Sequence, residues 1–409
     1  MPDKIITTCC IAGGGPAGMM LGFLLARAGV PVVVLEKHRD FFRDFRGDTI
    51  HPSTLQVMYE LGLLEDFLKV PHQELKSIGG KFGDTDFIAA DFSHLPVKCK
   101  FVALMPQWDF LNFIAEKARR YPAFQLKLEF TAADLLRDGD RVIGAHATSP
   151  NGSVEILADL TVAADGRHSD LRQASNLEVI DFGAPIDVLW MRIAKKAGDP
   201  VQALGYIRAG QGLVLLNRGD YWQAGYIIPK AALEALKREG LETLRARIPM
   251  VAPFLGDGRL EELKDWVDIK LLSVQVNRLK KWYLPGFLCI GDAAHAMSPA
   301  GGVGINLAIQ DAIAAANILV GPLRKGTLSV DDLRQVQRRR ELPTRLTQGM
   351  QIPMQNALFK GVIEQSGELK TPVFIKLLQR FPFLRRIPAR VIGMGFRPEH
   401  IHTPELPTQ

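Results

Sequence analysis

Cysteine is scarce in this chain: Cys9, Cys10, Cys99 and Cys289 are the only four in 409 residues, and no two form a CxxC pair. That excludes a disulfide-stapled scaffold and a thiolate metal cluster, so no metal site is expected. Cys10 and Cys289 sit inside apolar runs, where a thiol behaves as a small buried hydrophobe. No apolar run approaches the length of about 20 residues that a spanning helix needs. The N-terminus has no signal-type core with a cleavage site, so a soluble, cytoplasmic protein is the expectation. The charge is nearly balanced, 50 Lys and Arg against 44 Asp and Glu, which leaves +6. That excess is too small for a nucleic-acid binder. Internal repeats and low-complexity tracts are also lacking, which excludes solenoids and long disordered segments.

What is present is ordinary globular composition, 47% hydrophobic and 23% charged, in a chain longer than one core usually supports. Two cooperating domains of unequal size are therefore expected. The opening residues Ile5 to Ile11 form an apolar, β-branched run, followed by glycines and a helical segment from Pro16 to Ala28 that Gly29 ends. Val32 to Leu35 then forms a second apolar strand. This is the βαβ unit of a parallel sheet. Between Leu126 and Ala164, three extended runs separated by Asp138-Gly139 and Asn151-Gly152 predict an antiparallel meander. A second extended region, Val188 to Ile228, turns at Asn217-Arg218-Gly219-Asp220 and reads as the sheet of another domain. From Gly304 onward Ile305, Ala308, Ile309, Ala312, Ile313 and Ala316 recur at the spacing of a buried helix face.

Three motifs carry chemistry. Gly13, Gly15 and Gly18 form GxGxxG between a strand and a helix. The first glycine permits the tight turn, the second lets the backbone approach a pyrophosphate, and the third allows close helix-strand contact. Glu36 ends the next strand, where an acid accepts hydrogen bonds from an adenosine ribose. Later, the apolar run Phe287 to Ile290 ends in Gly291-Asp292, followed by Ala293-Ala294-His295. It opens into Pro299-Ala300-Gly301-Gly302-Val303-Gly304, a donor-rich loop before the long helix. Between these two lies Val162-Ala163-Ala164-Asp165-Gly166-Arg167, again a strand ending in an acid and a glycine, with Ser169 and Arg172 beyond it. By itself Asp165-Gly166 is simply a turn.

In this order and spacing the motifs resemble the class A, para-hydroxybenzoate hydroxylase-like FAD-dependent monooxygenases over almost the whole chain. The resemblance implies an α/β fold: a Rossmann-like FAD-binding βαβ domain, an antiparallel-sheet substrate domain and a helical C-terminal region. The corresponding boundaries are 1–75, 98–178 and 270–320 for FAD, 76–97 and 179–269 for substrate, and 321–409 for the helices. FAD is the implied cofactor, contacted by Gly13, Gly15, Pro16, Ala17, Gly18, Glu36, Lys37, Arg46, Gln107, Asp165, Asp292, Pro299, Gly301, Gly302, Gly304, Ile305 and Asn306. NADH or NADPH is implied as a transient electron donor, because no second GxGxxG unit offers a separate nicotinamide domain. The partners implied are O2 and an aromatic or other electron-rich apolar small molecule, hydroxylated through a flavin hydroperoxide. The backbone carbonyl of Pro299 is a candidate contact for substrate.

No catalytic acid or base is assigned. His295 reads as a packed, hydrogen-bonded support. Trp190, Tyr206, Trp222 and Tyr226 read equally as pocket or core. A reductase, dehydrogenase or epoxidase acting on an isoprenoid or polyketide stays open, as does a non-catalytic flavin-binding sensor. A halogenase is disfavoured, since the Trp-x-Trp-x-Ile-Pro segment of that group is missing and Tyr226-Ile227-Ile228-Pro229 is a partial echo. The stretch Lys376 to Phe396 mixes Arg380, Arg385, Arg386 and Arg390 with large apolar residues. It reads as a helical tail on the body, with peripheral membrane contact as the second reading, interrupted by prolines at 382 and 388. No pattern sets an oligomeric state.

Overall fold

Apolar strand, glycine turn and apolar helix follow one another at the N-terminus as β1 (Asp3–Ala12), α1 (Pro16–Arg27) and β2 (Val32–Glu36). The computed structural model describes residues 3–42, 49–200, 204–208, 210–358 and 371–407. Gly29 turns the chain after α1 at φ +76°, a backbone conformation that favours glycine. Every residue of β2 is buried, as a parallel strand covered on both faces requires.

The main sheet has eight strands. To β1 and β2 it adds β8 (Phe124–Leu128), β9 (Thr131–Asp138), β10 (Arg141–Ser149), β11 (Gly152–Ala163), β19 (Tyr283–Leu284) and β20 (Phe287–Cys289). The order is β19-β20-β11-β1-β2-β8, with β10 and β9 attached beside β11. The predicted meander is β9-β10-β11, but the first of the three expected runs is split. Glu129, at φ +61°, breaks it, so β8 joins β2 in parallel while β9 pairs with β10. Strand β11 serves both arrangements, antiparallel to β10 and parallel to β1.

A second sheet has seven strands in the order β17-β13-β16-β15-β14-β5-β6. These are β5 (Ser77–Phe82), β6 (Thr85–Asp91), β13 (Ile186–Ala194), β14 (Leu204–Arg208), β15 (Gln211–Asn217), β16 (Tyr221–Pro229) and β17 (Lys270–Leu272). One face packs on α6 (Leu233–Glu239) and α7 (Leu241–Val251), with Leu189, Met191, Leu213 and Leu215 meeting Leu236, Leu244 and Ile248. Tyr206, Trp222 and Tyr226 belong to that core. Trp190 alternates to the other face, where it lies against Gly225.

Two three-stranded sheets complete the strand set. One joins β3 (Thr49–Ile50), β7 (Val102–Leu104) and β4 (Gln73–Leu75); the other joins β12 (Val179–Asp181), β18 (Asn277–Leu279) and β21 (His295–Ala296). Short helices α2 (Pro52–Glu60), α3 (Leu64–Phe67), α4 (Gln107–Ala118) and α5 (Asp170–Ser175) connect these parts.

The long helix α8 (Gly304–Lys325) packs against α1 and against α9 (Val330–Leu358). Here the structure corrects the sequence reading of apolar runs: the helical stretch Ala300–Lys325 is long and apolar enough to cross a membrane, yet it is largely buried as the central core helix. Past α9 stand α10 (Val373–Arg380) and α11 (Arg386–Met394). Pro382 separates them, whereas Pro388 falls in the first turn of α11, where its missing N–H breaks no helix bond. All four cysteines are buried, and burial pushes the Cys10 thiol up to about 12.

His51 precedes α2 and is fully buried, its Nδ1 2.7 Å from the carbonyl oxygen of Ile392 in α11. Burial lowers its pKa to about 4, and the Ile392 bond offsets only part of that effect. The folded state therefore holds His51 neutral while the unfolded chain takes up a proton near pH 6.5. Stability is full above that value and falls as pH drops toward 4, by about 3 kcal/mol in all at ~1.4 kcal/mol per unit. Melting temperatures measured from pH 6.5 to 5 should show this decline, and His51→Gln should flatten it.

Candidate functional site

The three motifs leave the main sheet side by side. Ala12 is in register with Ala163, and Ala163 with Cys289, across the parallel pairs β1-β11 and β11-β20. The next hydrogen bonds continue that level: the Ala164 amide donates to the Ala12 carbonyl at 2.8 Å and the Ile290 amide to the Ala163 carbonyl at 3.0 Å. Segments separated by more than a hundred residues thus emerge together at the carboxyl ends of the strands, where open α/β sheets bind ligands.

The glycine turn is built as its spacing requires. Gly13 has φ +106°, and a Cβ there would come 2.4 Å from the Ala164 oxygen. A Cβ on Gly18 would stand 2.0 Å from the Gly13 oxygen, so helix and strand touch with no room for a side chain. Gly15 is the opposite case: a Cβ there meets nothing within 4 Å. It faces open space at the start of α1, with Pro16 first in the helix and Ala17 buried. No side chain caps α1 and no acid occupies its first turn, and the same holds for α8. Two helices of 12 and 22 residues thus begin with unneutralised positive ends. Gly291, at φ +59°, is wedged between them, its Cβ position 3.2 Å from both the Ala17 and Ala308 Cβ atoms.

Acidic groups surround this opening. Glu36 accepts from the Gly14 amide at 3.1 Å and from the His38 amide at 3.0 Å, tying the glycine turn to the end of β2; Lys37 beside it is exposed. Asp165 Oδ2 accepts weakly from the Leu171 amide at 3.4 Å, and its Oδ1 is buried with no hydrogen-bond partner among the described residues. Burial raises this carboxyl above its ordinary value, against the Ser169 hydroxyl and nearby amides. Asp292 is half-buried and lies 3.6 Å from the Arg167 guanidinium. Arg172 locks the two acidic turns together, donating to the Arg167 carbonyl at 2.6 Å and to the Ala293 carbonyl at 3.3 Å.

In the loop before α8 the outcome is mixed. Gly301, Gly302, Gly304 and Ile305 line its outer side, Gly301 exposed and the others half-buried, and a Cβ on Gly304 would meet nothing within 4 Å. The Pro299 carbonyl, however, accepts from the Gly302 amide at 3.0 Å, so one of its acceptor positions is engaged in closing the turn. The Asn306 side chain is turned inward as well: its Oδ1 accepts from the His51 amide at 3.0 Å and the Thr54 hydroxyl at 2.7 Å. Only its backbone remains for a ligand at the helix start. Gln107 opens α4 directly after β7, and β7 pairs with β3 through Thr49 and Leu104. Arg46 lies outside the described residues.

A dinucleotide fits what is present. The open Gly15 position lies at an uncapped helix start, Asp165 with its unpartnered carboxylate oxygen abuts Gly13 of the same turn, and the third strand end leads through the glycine loop to a second uncapped helix start. A sequence profile described as FAD binding domain matches residues 6–348. The chain belongs to the para-hydroxybenzoate hydroxylase-like FAD-dependent monooxygenases. It is 30% identical over 396 residues to a 6-methylpretetramide 4-monooxygenase of Streptomyces rimosus, covering 95% of this chain and 93% of that one. It is 25% identical to a para-nitrophenol 4-monooxygenase of Pseudomonas sp. strain WBC-3, over 77% and 78% of the two chains. Among solved structures, OxyS anhydrotetracycline hydroxylase from Streptomyces rimosus superposes with a TM-score of 0.73 at 22% identity, covering 95% of this chain and 76% of that one; this likeness shows the fold.

Behind the opening, the flavoprotein carries a buried ionic chain that local sequence did not disclose. Asp311 of α8 accepts from the Gly291 amide at 3.1 Å, approaches His295 Nε2 at 2.6 Å and accepts from Arg340 of α9 at 2.9 Å. Arg340 also reaches Glu399 at 3.2 Å. Burial alone would raise the Asp311 carboxyl; His295 and Arg340 outweigh it and hold it below the ordinary value. His295, 1% exposed, is therefore a packed member of this chain. Gln351 of α9 donates to the Ser298 and Ala300 carbonyls at 3.0 and 2.9 Å, clamping the glycine loop from behind. The one local signal was an aspartate, Asp311, inside an otherwise apolar helix face.

The glycine geometry separates binding from folding. Gly15→Val should leave the melting temperature near that of the parent while lowering bound flavin, read from absorbance at visible wavelengths, by about tenfold or more. Gly18→Ala, which must displace the Gly13 carbonyl, should lower both.

Proposed function

We propose that the chain is an NAD(P)H-dependent FAD monooxygenase that inserts one oxygen atom from O2 into an aromatic or other electron-rich apolar small molecule. The observation that carries this reading is the convergence of the glycine turn, Asp165 and Asp292 at one level of one sheet, in a chain whose similar proteins include monooxygenases of aromatic compounds. Bound FAD, reduced by NADH or NADPH, supplies the electrons and activates O2.

The chain's own residues then hold, orient and exclude. The N–H groups of Gly15, Ala17 and Gly18 at the α1 start would receive the pyrophosphate, with Glu36 at the ribose. Asp165 Oδ1 and Asp292 are the acceptors for the hydroxyls of the sugar-alcohol chain. The start of α8, from Gly304 to Asn306, faces the ring and favours negative charge there. The substrate lies against the face of the second sheet that α6 and α7 leave uncovered. Trp190 is on that face, its indole Nε1 buried without a hydrogen-bond partner among the described residues, which suits an oxygen acceptor on a flat ligand. Arg167 donates to the Ser273 carbonyl just beyond β17, and Lys230 joins Asp187, Ser273 and Val274, so the second sheet is tied to the Asp292 turn. A cytoplasmic location, where NAD(P)H is available, is part of this reading.

Purified protein should be yellow, and NADH or NADPH should bleach it in the absence of oxygen. In air, a turnover-stimulating aromatic ligand should leave with one added oxygen, labelled when 18O2 is used. Label arriving from water, or ligand dehydrogenated with no oxygen gained, would contradict the monooxygenase reading.

A further inference from the structure

The α10–α11 region carries a surface that the flavin site does not use. At helical spacing Val373, Phe374 and Leu377 share one side of α10, opposite Ile375, and Phe381 follows at the helix's C-terminal end. That single buried residue anchors the helix against Phe82 and Phe87 of β5 and β6. Phe381 and Phe383 pair edge to face at 6.1 Å, and Ile387 of α11 is exposed four residues further on. Phe383 is 60% and Ile387 63% exposed, an unusual placement for large apolar side chains when six of them fall in one short stretch. The same stretch, from Thr371 to Phe396, contains Lys376, Arg380, Arg385, Arg386 and Arg390 and no Asp or Glu.

We propose that this face docks on an anionic lipid surface. Its charge selects the occupant. Two copies meeting face to face would set five cations against five, so self-association through this patch is opposed. An anionic bilayer meets both halves of the chemistry, lipid phosphates for the cations and an apolar layer for the aromatic side chains. The seat is firm: Gln379 donates to the Asp86 carbonyl at 2.7 Å, and both helices lie on β6, the edge strand of the seven-stranded sheet. Arg385 and Arg386 are partly engaged, the first with the Leu378 carbonyl at 3.0 Å and the second 3.4 Å from His94, which leaves Lys376, Arg380 and Arg390 as the principal lipid contacts. Docking would hold that sheet at a membrane, where an apolar substrate concentrates. The exposed side chains that form the surface are not among those assigned to the flavin, so its test does not depend on the reaction.

The flavin-loaded, full-length protein is sedimented with vesicles of phosphatidylcholine alone and of equal parts phosphatidylcholine and phosphatidylglycerol. It should bind the anionic vesicles selectively and more weakly at high salt. Affinity should fall about tenfold both in Phe381→Ser/Phe383→Ser and in Arg380→Gln/Arg390→Gln, with flavin content and melting temperature preserved, since these side chains are exposed. Absence of binding by the parent protein overturns the proposal. So does equal binding by the aromatic variant, which would mark a loose charge effect, or a dimer in solution that the Phe381/Phe383 variant abolishes, which would assign the face to a second copy.

Discussion

The parallel register of β1, β11 and β20 is the constraint on which the site depends. Because the side-chain period of a strand is two, a slip of one residue at either pairing would invert Asp165 or Asp292 relative to the glycine turn. The register is held by apolar burial on both faces, with Ile11, Val162 and Leu288 buried on one and Ala12, Ala163 and Cys289 on the other. It is reinforced where the strands end, by Arg172 bridging the Arg167 and Ala293 carbonyls and by Asp311 receiving the Gly291 amide. Removing one partner from such a buried charge cluster costs about 3–5 kcal/mol, because the remaining charge is left uncompensated. The cluster thus fixes geometry at the opening without occupying it.

The two uncapped helix starts follow from the same packing. Gly291 lies between α1 and α8, its Cβ position 3.2 Å from the Cβ atoms of Ala17 and Ala308. Neither helix start has a capping side chain or an acid in its own first turn, which leaves each open to an anion. A cofactor with a pyrophosphate at one end and a ring that becomes anionic on reduction at the other satisfies both. The second sheet covers one face with its own helices, where Tyr206, Trp222 and Tyr226 are buried, while Trp190 lies on the other face against Gly225.

Much of this was legible in the chain. Local patterns disclosed the βαβ unit with its glycine turn, the two acid-glycine strand ends and the buried face of α8, because each depends on residues close to one another in the chain. Contacts between distant segments were not legible. Nothing near Asn306 indicates that its amide holds His51 and Thr54, and nothing near Arg340 points to Asp311 or Glu399. The division of Leu126 to Asp138 into two strands of different neighbourhoods turned on one residue, Glu129, in a left-handed conformation that composition does not favour.

The central claim is that one dinucleotide spans both helix starts across the three aligned strand ends. An experimental structure of the flavin complex tests it most directly. It should place the pyrophosphate on the N–H groups of Gly15, Ala17 and Gly18, the sugar-alcohol hydroxyls on Asp165 and Asp292, and the ring beside Gly304 to Asn306. A flavin bound elsewhere, or bound at the glycine turn with its ring directed away from α8, would contradict the account.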